Sequence, residues 1–298
     1  MKIILCSFLA YLSLLNQPAF SQEEEKTPKK KTKFHVGLFL GSCFANKHSA
    51  SLYDGYGYDA EGKKNDFLNS FMFRRIVLES GGGYGQADQV ALALGVNHGE
   101  WEFDQSDMPM NMKYIPSFSV GLNLGYTISK KDVLFLNANS TRLNLNGNFS
   151  IVITTPPIGP QPPGYQNIKT FAITGAEQRT VFQLGYRKIL GDDEIFNFFV
   201  EGGPSITKAE FLRNQATIND LQVDLGFYYS QSFFPTYRAK YLRGSWLGAF
   251  AGLGLNITAN ANWTIQLLYS PSYEKINIGE DPKPSLQHAA GLRVFYTL

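Results

Sequence analysis

A period-two alternation of apolar residues with small or polar residues is the feature that most constrains this chain. It appears in eight segments, and in each of them one face is mainly apolar. The segments are 34–41, 117–128, 134–141, 179–187, 196–201, 247–258, 263–270 and 286–298. Because successive side chains of a β-strand point to opposite sides of its sheet, the pattern predicts strands whose two faces meet different environments.

The connections between these segments are alternately tight and long. The tight connections carry turn-forming residues and span 129–132, 191–193 and 260–262. The long connections span 45–113, 152–168, 207–244 and 275–285. A β-barrel of a bacterial outer membrane has this arrangement, with short turns facing the periplasm and long loops facing outward. An even number of strands then places both chain ends on the periplasmic side.

The distribution of polar residues separates a membrane barrel from its main alternative, a soluble barrel of the lipocalin type. A soluble barrel needs a polar outer face and an apolar interior. In this chain the apolar faces carry almost no charge, whereas the opposite faces mix Gly, Ser, Thr, Asn, Gln and a few ions. A barrel in lipid needs this inverted arrangement. We therefore predict an all-β fold, an eight-stranded antiparallel up-and-down transmembrane β-barrel.

Composition excludes two other classes of protein. The 298 residues include 27 Lys plus Arg and 25 Asp plus Glu, so the chain lacks the positive charge typical of nucleic-acid-binding proteins. The mean hydropathy of −0.17 excludes a bundle of membrane helices. Charged residues make up only 17%, against about 25% in a typical soluble domain, which agrees with a lipid-facing surface.

The N-terminus has the pattern of a secretory signal peptide. Lys2 precedes a short apolar stretch, and Ala19-Phe20-Ser21 forms a small-x-small cleavage site. The predicted organisation is a signal peptide at 1–21, a charged periplasmic tether at 22–32 and the barrel at 33–298. Removal of the signal leaves Cys43 as the only cysteine, so an internal disulfide cannot form.

The first long connection, 45–113, raises a question about the number of strands. It contains the apolar stretches 71–78 and 90–96 on either side of the glycine run 81–83. They predict either a helix and a strand in a folded external loop or an extra hairpin that makes ten strands. Eight strands are favoured because the segment between the stretches does not resemble the tight turns. A parity change near 140–143 predicts a bulge, and the upper strands could project beyond the membrane.

Five charged residues fall on faces that are predicted to point into the barrel. They are Glu177, Arg179, Arg187, Glu201 and Arg293. The interior of an eight-stranded barrel is just wide enough to be filled by side chains, so these ions are predicted to form a structural lumen charge network. Glu201 with Arg179 or Arg293 is the expected pair, because a buried charge needs a partner. The functional alternative is an ion path or an acid–base site.

Motifs for catalysis, metals or cofactors are weak. The 4 histidines are spread over different segments, and no HExxH, paired-cysteine or EF-hand pattern occurs. The glycine-rich run 81–85 lacks the Lys-Ser or Lys-Thr of a phosphate-binding loop. The sequence therefore predicts a protein without enzymatic activity, catalytic residues, cofactor or metal.

Aromatic residues are dense in two of the long loops. Segment 51–58 contributes Tyr53, Tyr56 and Tyr58. Segment 227–241 contributes Tyr228, Tyr229, Phe233, Phe234 and Tyr237. Aromatic residues anchor many protein interfaces, so these side chains are candidates for partner binding. The alternative is that they pack on one another as a cap, and the two roles are compatible.

The chain also resembles a known class of proteins. The exported N-terminus, the opening strand 34–38, the four long loops and the closing strand 291–298 are similar to those of the outer-membrane β-barrel superfamily. That superfamily includes OmpA-like barrels and the PorT-type proteins associated with type IX secretion. The resemblance implies location in the outer membrane of a Gram-negative bacterium and a role as an anchor, an adhesin or an accessory subunit. It assigns no functional residue.

Three functions are open from the sequence. The first is a non-enzymatic outer-membrane barrel within a protein complex, such as the secretion or barrel-assembly machinery, whose extracellular loops bind protein partners. The second is a small outer-membrane enzyme that modifies lipid, which needs a His, a Ser and an acid at the outer rim. The third is a narrow channel, which a filled lumen disfavours. The expected partners are outer-membrane lipid and other proteins, with no nucleic acid.

Overall fold

The computed structural model describes residues 33–59, 63–78, 80–81, 84–156, 159–193, 195–226, 242–279 and 282–298, with 80–81 and 84–85 as backbone only. The predicted signal peptide, the predicted tether and the aromatic candidates from Tyr228 to Tyr237 lie outside these residues. The barrel strands are numbered β1 to β8 in chain order.

Eight long strands form the barrel. They are β1 Phe34–Phe44, β2 Ser117–Ser129, β3 Asp132–Ile153, β4 Asn167–Leu190, β5 Phe196–Ile218, β6 Arg243–Thr258, β7 Trp263–Lys275 and β8 Pro284–Thr297. Each strand pairs antiparallel with its neighbours in the chain. Strand β8 also pairs with β1, from His35↔Thr297 to Phe44↔His288. The ring is closed, so no barrel strand has an unpaired edge along this register.

The segment between β1 and β2, residues 45–116, is called loop 1 here. Its helical elements are Lys47–Tyr53, Phe71–Phe73 continued by Arg74–Leu78, Gln86–Leu94 and Gln105–Asp107. Its short strands are Ser80–Gly81, Tyr84–Gly85, Trp101–Glu102 and Lys113–Ile115. The last two pair with the far part of β3 rather than entering the ring. The ring therefore has eight strands, not ten.

The outer surface near the tight turns is an apolar belt. Its side chains include Leu38 (58% exposed), Leu122 (56%), Leu184 (58%), Phe198 (68%) and Leu253 (59%). Aromatic residues lie at the turn end of this belt, namely Tyr126, Tyr186, Trp263 and Tyr296. A wide apolar band with an aromatic border is the surface that a bilayer stabilises and water does not. The chain is a transmembrane β-barrel.

Among the described residues, none of the helices has the length and apolar character needed to cross a bilayer. Near the tight turns, large rings fill the interior and lie directly over glycines of neighbouring strands. A Cβ atom on Gly185 would lie 2.3 Å from Cζ of Phe135, and one on Gly37 would lie 2.5 Å from Cδ1 of Phe295. Only glycine leaves room for these rings.

Three strands are much longer than the others. Strands β3, β4 and β5 have 22, 24 and 23 residues. About ten residues suffice to cross the apolar belt at the usual tilt, so the three strands continue well beyond it. The prediction that the third long connection begins at 207 is wrong, because β5 runs to Ile218 and then pairs with a short strand at Leu221–Asp224.

The predicted bulge at 140–143 is also wrong. Strand β3 pairs with β4 in continuous register through this region. Along β5, by contrast, Phe211 pairs with Glu177 and Arg213 with Ala176, so Leu212 is the extra residue of a bulge. The apparent parity change in β3 has another cause, because its inward side chains change from polar to apolar while the backbone stays regular.

Beyond the belt the barrel has an apolar interior. The inward residues there include Leu143, Leu145, Phe149, Ile151, Ile173, Ala216 and Ile218. Loop 1 contributes Leu52, Tyr53, Met72, Ile76, Val90 and Phe103 to the same cluster. We call this unit the head, comprising loop 1 together with residues 142–153, 167–180 and 208–224. Its core is apolar, like that of a soluble domain.

Candidate functional site

The lumen contains a buried ion network near the turn end of the barrel. The carboxylate of Glu201 accepts a hydrogen bond from Nε of Arg187 at 2.8 Å. It also accepts two from Arg293, from Nη1 at 3.0 Å and from Nη2 at 3.1 Å. Arg293 further donates to Oε1 of Gln266 at 3.2 Å. The Glu201–Arg293 pair expected from the sequence is present, and Arg187 joins it as a second cation.

Aromatic rings surround the Arg187 guanidinium. Its central carbon lies 4.7 Å from the ring centre of Phe135, 5.2 Å from that of Phe199 and 5.3 Å from that of Phe295. The ring faces attract the cation, which offsets part of the cost of removing it from water. These rings were not predicted from the sequence, because they lie on inward strand faces that otherwise carry mainly small and polar residues. Together with Glu201 they fill this level of the lumen.

A second buried ion network lies at the loop end of the lumen. Glu177 accepts hydrogen bonds from Nε of Arg179 at 2.5 Å, from the Tyr114 hydroxyl at 2.8 Å and from the Tyr53 hydroxyl at 3.1 Å. Residues 177 and 179 lie on the same strand face because they are two positions apart along the strand. Arg179 therefore pairs with Glu177, and the alternative pairing with Glu201 is not formed.

Arg179 also connects separate parts of the chain. Its Nη1 donates to Oε1 of Gln287 on β8 at 3.1 Å, and its Nη2 donates to Oγ of Ser49 in loop 1 at 3.0 Å. Ser49 in turn shares a hydrogen bond of 3.0 Å with the Tyr114 hydroxyl. The network thus ties loop 1 to two sides of the barrel.

A small polar cavity lies between the two networks. Its volume is about 60 Å³, and its lining includes Cys43, Asn139, Thr141, Gln183, Glu274 and Arg293. A cavity of this volume holds only a few water molecules. Glu274 accepts a hydrogen bond from Thr207 and another from Ser272 at 3.2 Å. Glu274 was not among the predicted lumen charges, although its position continues the inward alternation of β7.

The acids and bases that are buried in the lumen balance each other. They are Glu177, Glu201 and Glu274 against Arg179, Arg187 and Arg293. The network near the turns has one carboxylate for two guanidinium groups. Toward the loops, two carboxylates, those of Glu177 and Glu274, face one guanidinium group, that of Arg179. Balanced and hydrogen-bonded ions of this kind are what a packed, water-poor interior tolerates. The arrangement is therefore chemically suited to holding strands together.

Tyr53 fastens loop 1 inside the barrel. The residue ends the helical turn Lys47–Tyr53, and its side chain has no exposed surface. Its ring stacks on Phe211 with centres 5.3 Å apart, and it lies against Gly175, where a Cβ would be 2.5 Å from the ring. Tyr53 was predicted as a partner-binding residue of an external loop. That prediction is wrong for this residue, because its ring belongs to the interior.

The hydroxyl groups of Tyr53 and Tyr114 are held in their neutral form. Burial and the adjacent Glu177 carboxylate raise the pKa of both phenols well above the usual range. Each phenol therefore remains a hydrogen-bond donor to the carboxylate at physiological pH.

Tyr56 and Tyr58 are half-buried at the surface of the head and pack against its core. The Lys64 ammonium lies 4.7 Å from the ring centre of Tyr56. Burial also raises the pKa of nearby Asp54, although Lys64 opposes the change with a 2.5 Å ion pair. Segment 51–58 therefore acts at least partly as a cap. Partner binding by the exposed parts of Tyr56 and Tyr58 stays a prediction.

The histidines lie in different places. His288 on the outer face shares a 2.7 Å hydrogen bond with the Tyr269 hydroxyl, and His98 in the head pairs with Asp88 at 2.7 Å. His35 lies in the lumen, 3.4 Å from the hydroxyl oxygen of Thr127. Within the described parts of the chain, we find no group of three His, Cys, Asp or Glu side chains that could hold a metal ion.

The solved structures that resemble this chain are bacterial surface and outer-membrane proteins. Neisserial surface protein A has a TM-score of 0.39 and 8% identity, covering 91% of this chain and 100% of its own. Ail, the attachment invasion locus protein of Yersinia pestis, has a TM-score of 0.35 and 8% identity, and the match covers 90% of this chain and 99% of Ail. OprG from Pseudomonas aeruginosa has a TM-score of 0.37 and 9% identity, and the match covers 90% of this chain and 98% of OprG.

No protein-family model matches the chain, and a search of curated proteins found no match. The closed antiparallel strand pairing described above defines the fold. The candidate site consists of the filled lumen and the head built upon it.

Proposed function

We propose that this protein is a non-enzymatic barrel of the outer membrane of a Gram-negative bacterium, with its turns in the periplasm and its head outside the cell. Its role is that of a structural or accessory subunit of an outer-membrane complex, such as the secretion or barrel-assembly machinery. It binds protein partners through the head and the long loops.

The packing of loop 1 supports this proposal more than any other observation. Tyr53 and Tyr114 hold the loop on Glu177, and apolar residues of the loop complete the head core. A loop fixed in this way presents a rigid surface, so a partner pays little conformational entropy when it binds. A lumen that is filled by charged side chains and aromatic rings suits a structural role better than transport.

The surface of the head offers side chains that suit an interface. Leu92 is 82% exposed, Met110 is 81% exposed and Leu68 is 63% exposed. Large apolar side chains cost free energy when they face water, and burial against a partner recovers it. We therefore assign Leu92 and Met110 to the surface that contacts other proteins.

Cross-linking in intact cells, followed by detergent extraction and mass spectrometry, tests the proposal. We expect one set of envelope proteins to copurify with the native chain, and at least about tenfold less with the variants Leu92→Asp and Met110→Asp. Asn148→Asp adds the same charge at an exposed polar position of the head and should retain the partners. Recovery of the native chain as a lone monomer contradicts the proposal.

The two other functions have tests of their own. A lipid-modifying enzyme predicts a changed lipid profile when the protein is removed from the cell. A narrow channel predicts reproducible conductance steps in a planar bilayer. We expect neither result.

A further inference from the structure

The outer surface changes abruptly from apolar to basic where β3, β4 and β5 leave the belt. The last apolar row consists of Ala138, Phe182 and Ile206, which are paired across the three strands. The next outward rows are Ser140, Thr180 and Lys208, followed by Arg142, Gln178 and Glu210. Asn144, Ala176 and Arg213 form the row beyond these. Basic side chains thus begin within one or two rows of the lipid-facing surface.

Three of these basic side chains have no acidic partner. Arg142, Lys208 and Arg213 are all exposed, and none forms an ion pair in the part of the chain that the structure describes. The nearby acid, Glu210, is already paired with Arg243 at 2.6 Å. Arg142, Lys208 and Arg213, called the basic patch here, therefore contribute three positive charges that no acid among the described residues neutralises.

The three cations are close enough to share one ligand. Strands in a sheet lie about 4.8 Å apart and a two-residue step adds about 6.6 Å, so the Cα atoms of Arg142 and Lys208 are roughly 12 Å apart. The same geometry separates Arg142 from Arg213. All three surround Gln178, whose Nε2 is fixed by a 2.7 Å hydrogen bond to Ser140. Their long side chains can converge over this residue.

We propose that Arg142, Lys208 and Arg213 bind the phosphate groups of membrane lipids in the leaflet at the loop end of the barrel. Guanidinium groups match phosphate oxygens with paired hydrogen bonds, and lysine adds a point charge. The acyl chains of the same lipid lie on Phe182 and Ile206 directly below. The adjacent belt favours a lipid over a soluble polyanion, because a soluble ligand gains nothing from that apolar row.

The experiment uses the full chain in nanodiscs and two probes, lipid A with its phosphates and lipid A from which the phosphates have been removed. We expect the native chain to retain phosphorylated lipid A, as counted by native mass spectrometry. The triple variant Arg142→Gln, Lys208→Gln, Arg213→Gln should bind it about tenfold more weakly. The dephosphorylated probe should not distinguish the two proteins.

A matched control removes the same charge elsewhere. The variant Lys63→Gln, Arg74→Gln, Lys169→Gln changes three exposed positions of the head and should bind phosphorylated lipid A normally. If the triple variant fails to fold, single substitutions at Arg142 or Lys208 replace it, each with an expected loss of two- to fivefold, roughly.

Equal weakening by the test and control variants overturns the proposal. So does equal binding of both lipid probes. Tighter, Arg142-dependent binding of soluble polyphosphate than of phosphorylated lipid A also overturns it and assigns the patch to soluble polyanions. Because the purified chain is measured without protein partners, this result is independent of the role proposed above for the head.

Discussion

The same strand is built in opposite ways in two regions of the molecule. Where β3 crosses the belt, Leu134 and Leu136 face outward and Asn137 faces inward. In the head, Leu143 and Leu145 face inward, and the alternate positions of the strand, which face outward, carry polar residues. The alternation of side chains continues without interruption, and only the side on which apolar residues lie is reversed.

The difference shows that the medium outside the barrel, lipid or water, decides which face of a strand carries the apolar side chains. Lipid on the outside requires apolar outer side chains, so amides and ions are placed in the lumen, where they must bond one another. Water on the outside allows the opposite and more common arrangement, in which apolar side chains form the core. One regular β-strand therefore serves both environments without a bulge.

Removing a lumen carboxylate should have the largest effect. In Glu201→Ala, Arg187 and Arg293 remain buried without their shared partner, and we expect a loss of about 3–5 kcal/mol in the free energy of unfolding. Urea unfolding in lipid vesicles measures it. Glu210→Ala breaks the partly exposed ion pair with Arg243 on the outer face of the same strand and should cost less than about 1 kcal/mol. Similar losses for the two variants would show that the lumen ions do not hold the barrel together.

Truncating one leucine on each side of the reversal compares the two interiors directly. Leu143→Ala leaves a cavity in the packed head and should destabilise it by about 2–4 kcal/mol, which increases proteolysis of loop 1. Leu136→Ala faces lipid, which fills the vacated space, so its cost should be below about 1 kcal/mol. Equal protease sensitivity of the two variants is the outcome that contradicts this view of the head.

Crowding the contact between loop 1 and β4 tests how tightly the two regions are joined. In Gly175→Ala the new Cβ would meet the Tyr53 ring at 2.5 Å, so the ring must move. We expect a loss of about 1–3 kcal/mol from the head, measured as faster cleavage of loop 1, while the barrel still shifts on a gel only after boiling. The double variant Gly175→Ala, Tyr53→Ala removes the clash and should be cleaved no faster than Tyr53→Ala alone.

Removing a single hydroxyl should have the smallest effect. Tyr53→Phe loses one hydrogen bond to Glu177, worth about 1 kcal/mol. Because the folded head raises the pKa of Tyr53 and Tyr114, it favours their neutral forms. That contribution is complete below the ordinary phenol pKa of about 10 and is lost as the pH rises above it. Loop 1 should therefore become more protease-sensitive above about pH 10. An unchanged pH profile in the double variant Tyr53→Phe, Tyr114→Phe would exclude the two phenols as its cause.

The sequence was sufficient to predict the barrel within the belt. Residues such as Leu122 and Leu253 alternate with small polar residues, and tight turns alternate with long connections. The inward position of Glu201 also followed from parity, because the two faces of a strand can be told apart by composition. Parity left both Arg179 and Arg293 open as its partner, and the hydrogen bonds of the folded barrel select Arg293.

The head could not be predicted in the same way. Its strands keep the alternation but reverse the apolar side, so residues beyond 207 were assigned to a loop. The position of Tyr53 depends on contacts with Glu177 and Gly175, which are more than a hundred residues away in the chain. An aromatic residue in a loop has the same local sequence signal whether it faces a partner or the interior.

The length of β4 has a consequence for how the protein meets its surroundings. Its 24 residues leave about a dozen beyond the belt, which at the usual tilt corresponds to a rise of roughly 30 Å. The top of the head therefore lies about the diameter of a small domain above the apolar belt, and the headgroup region occupies the first part of that distance. With the head outside the cell, as proposed above, an antibody fragment or a membrane-impermeant label should reach it on intact cells. The side chains of the lumen should stay protected until the barrel itself unfolds.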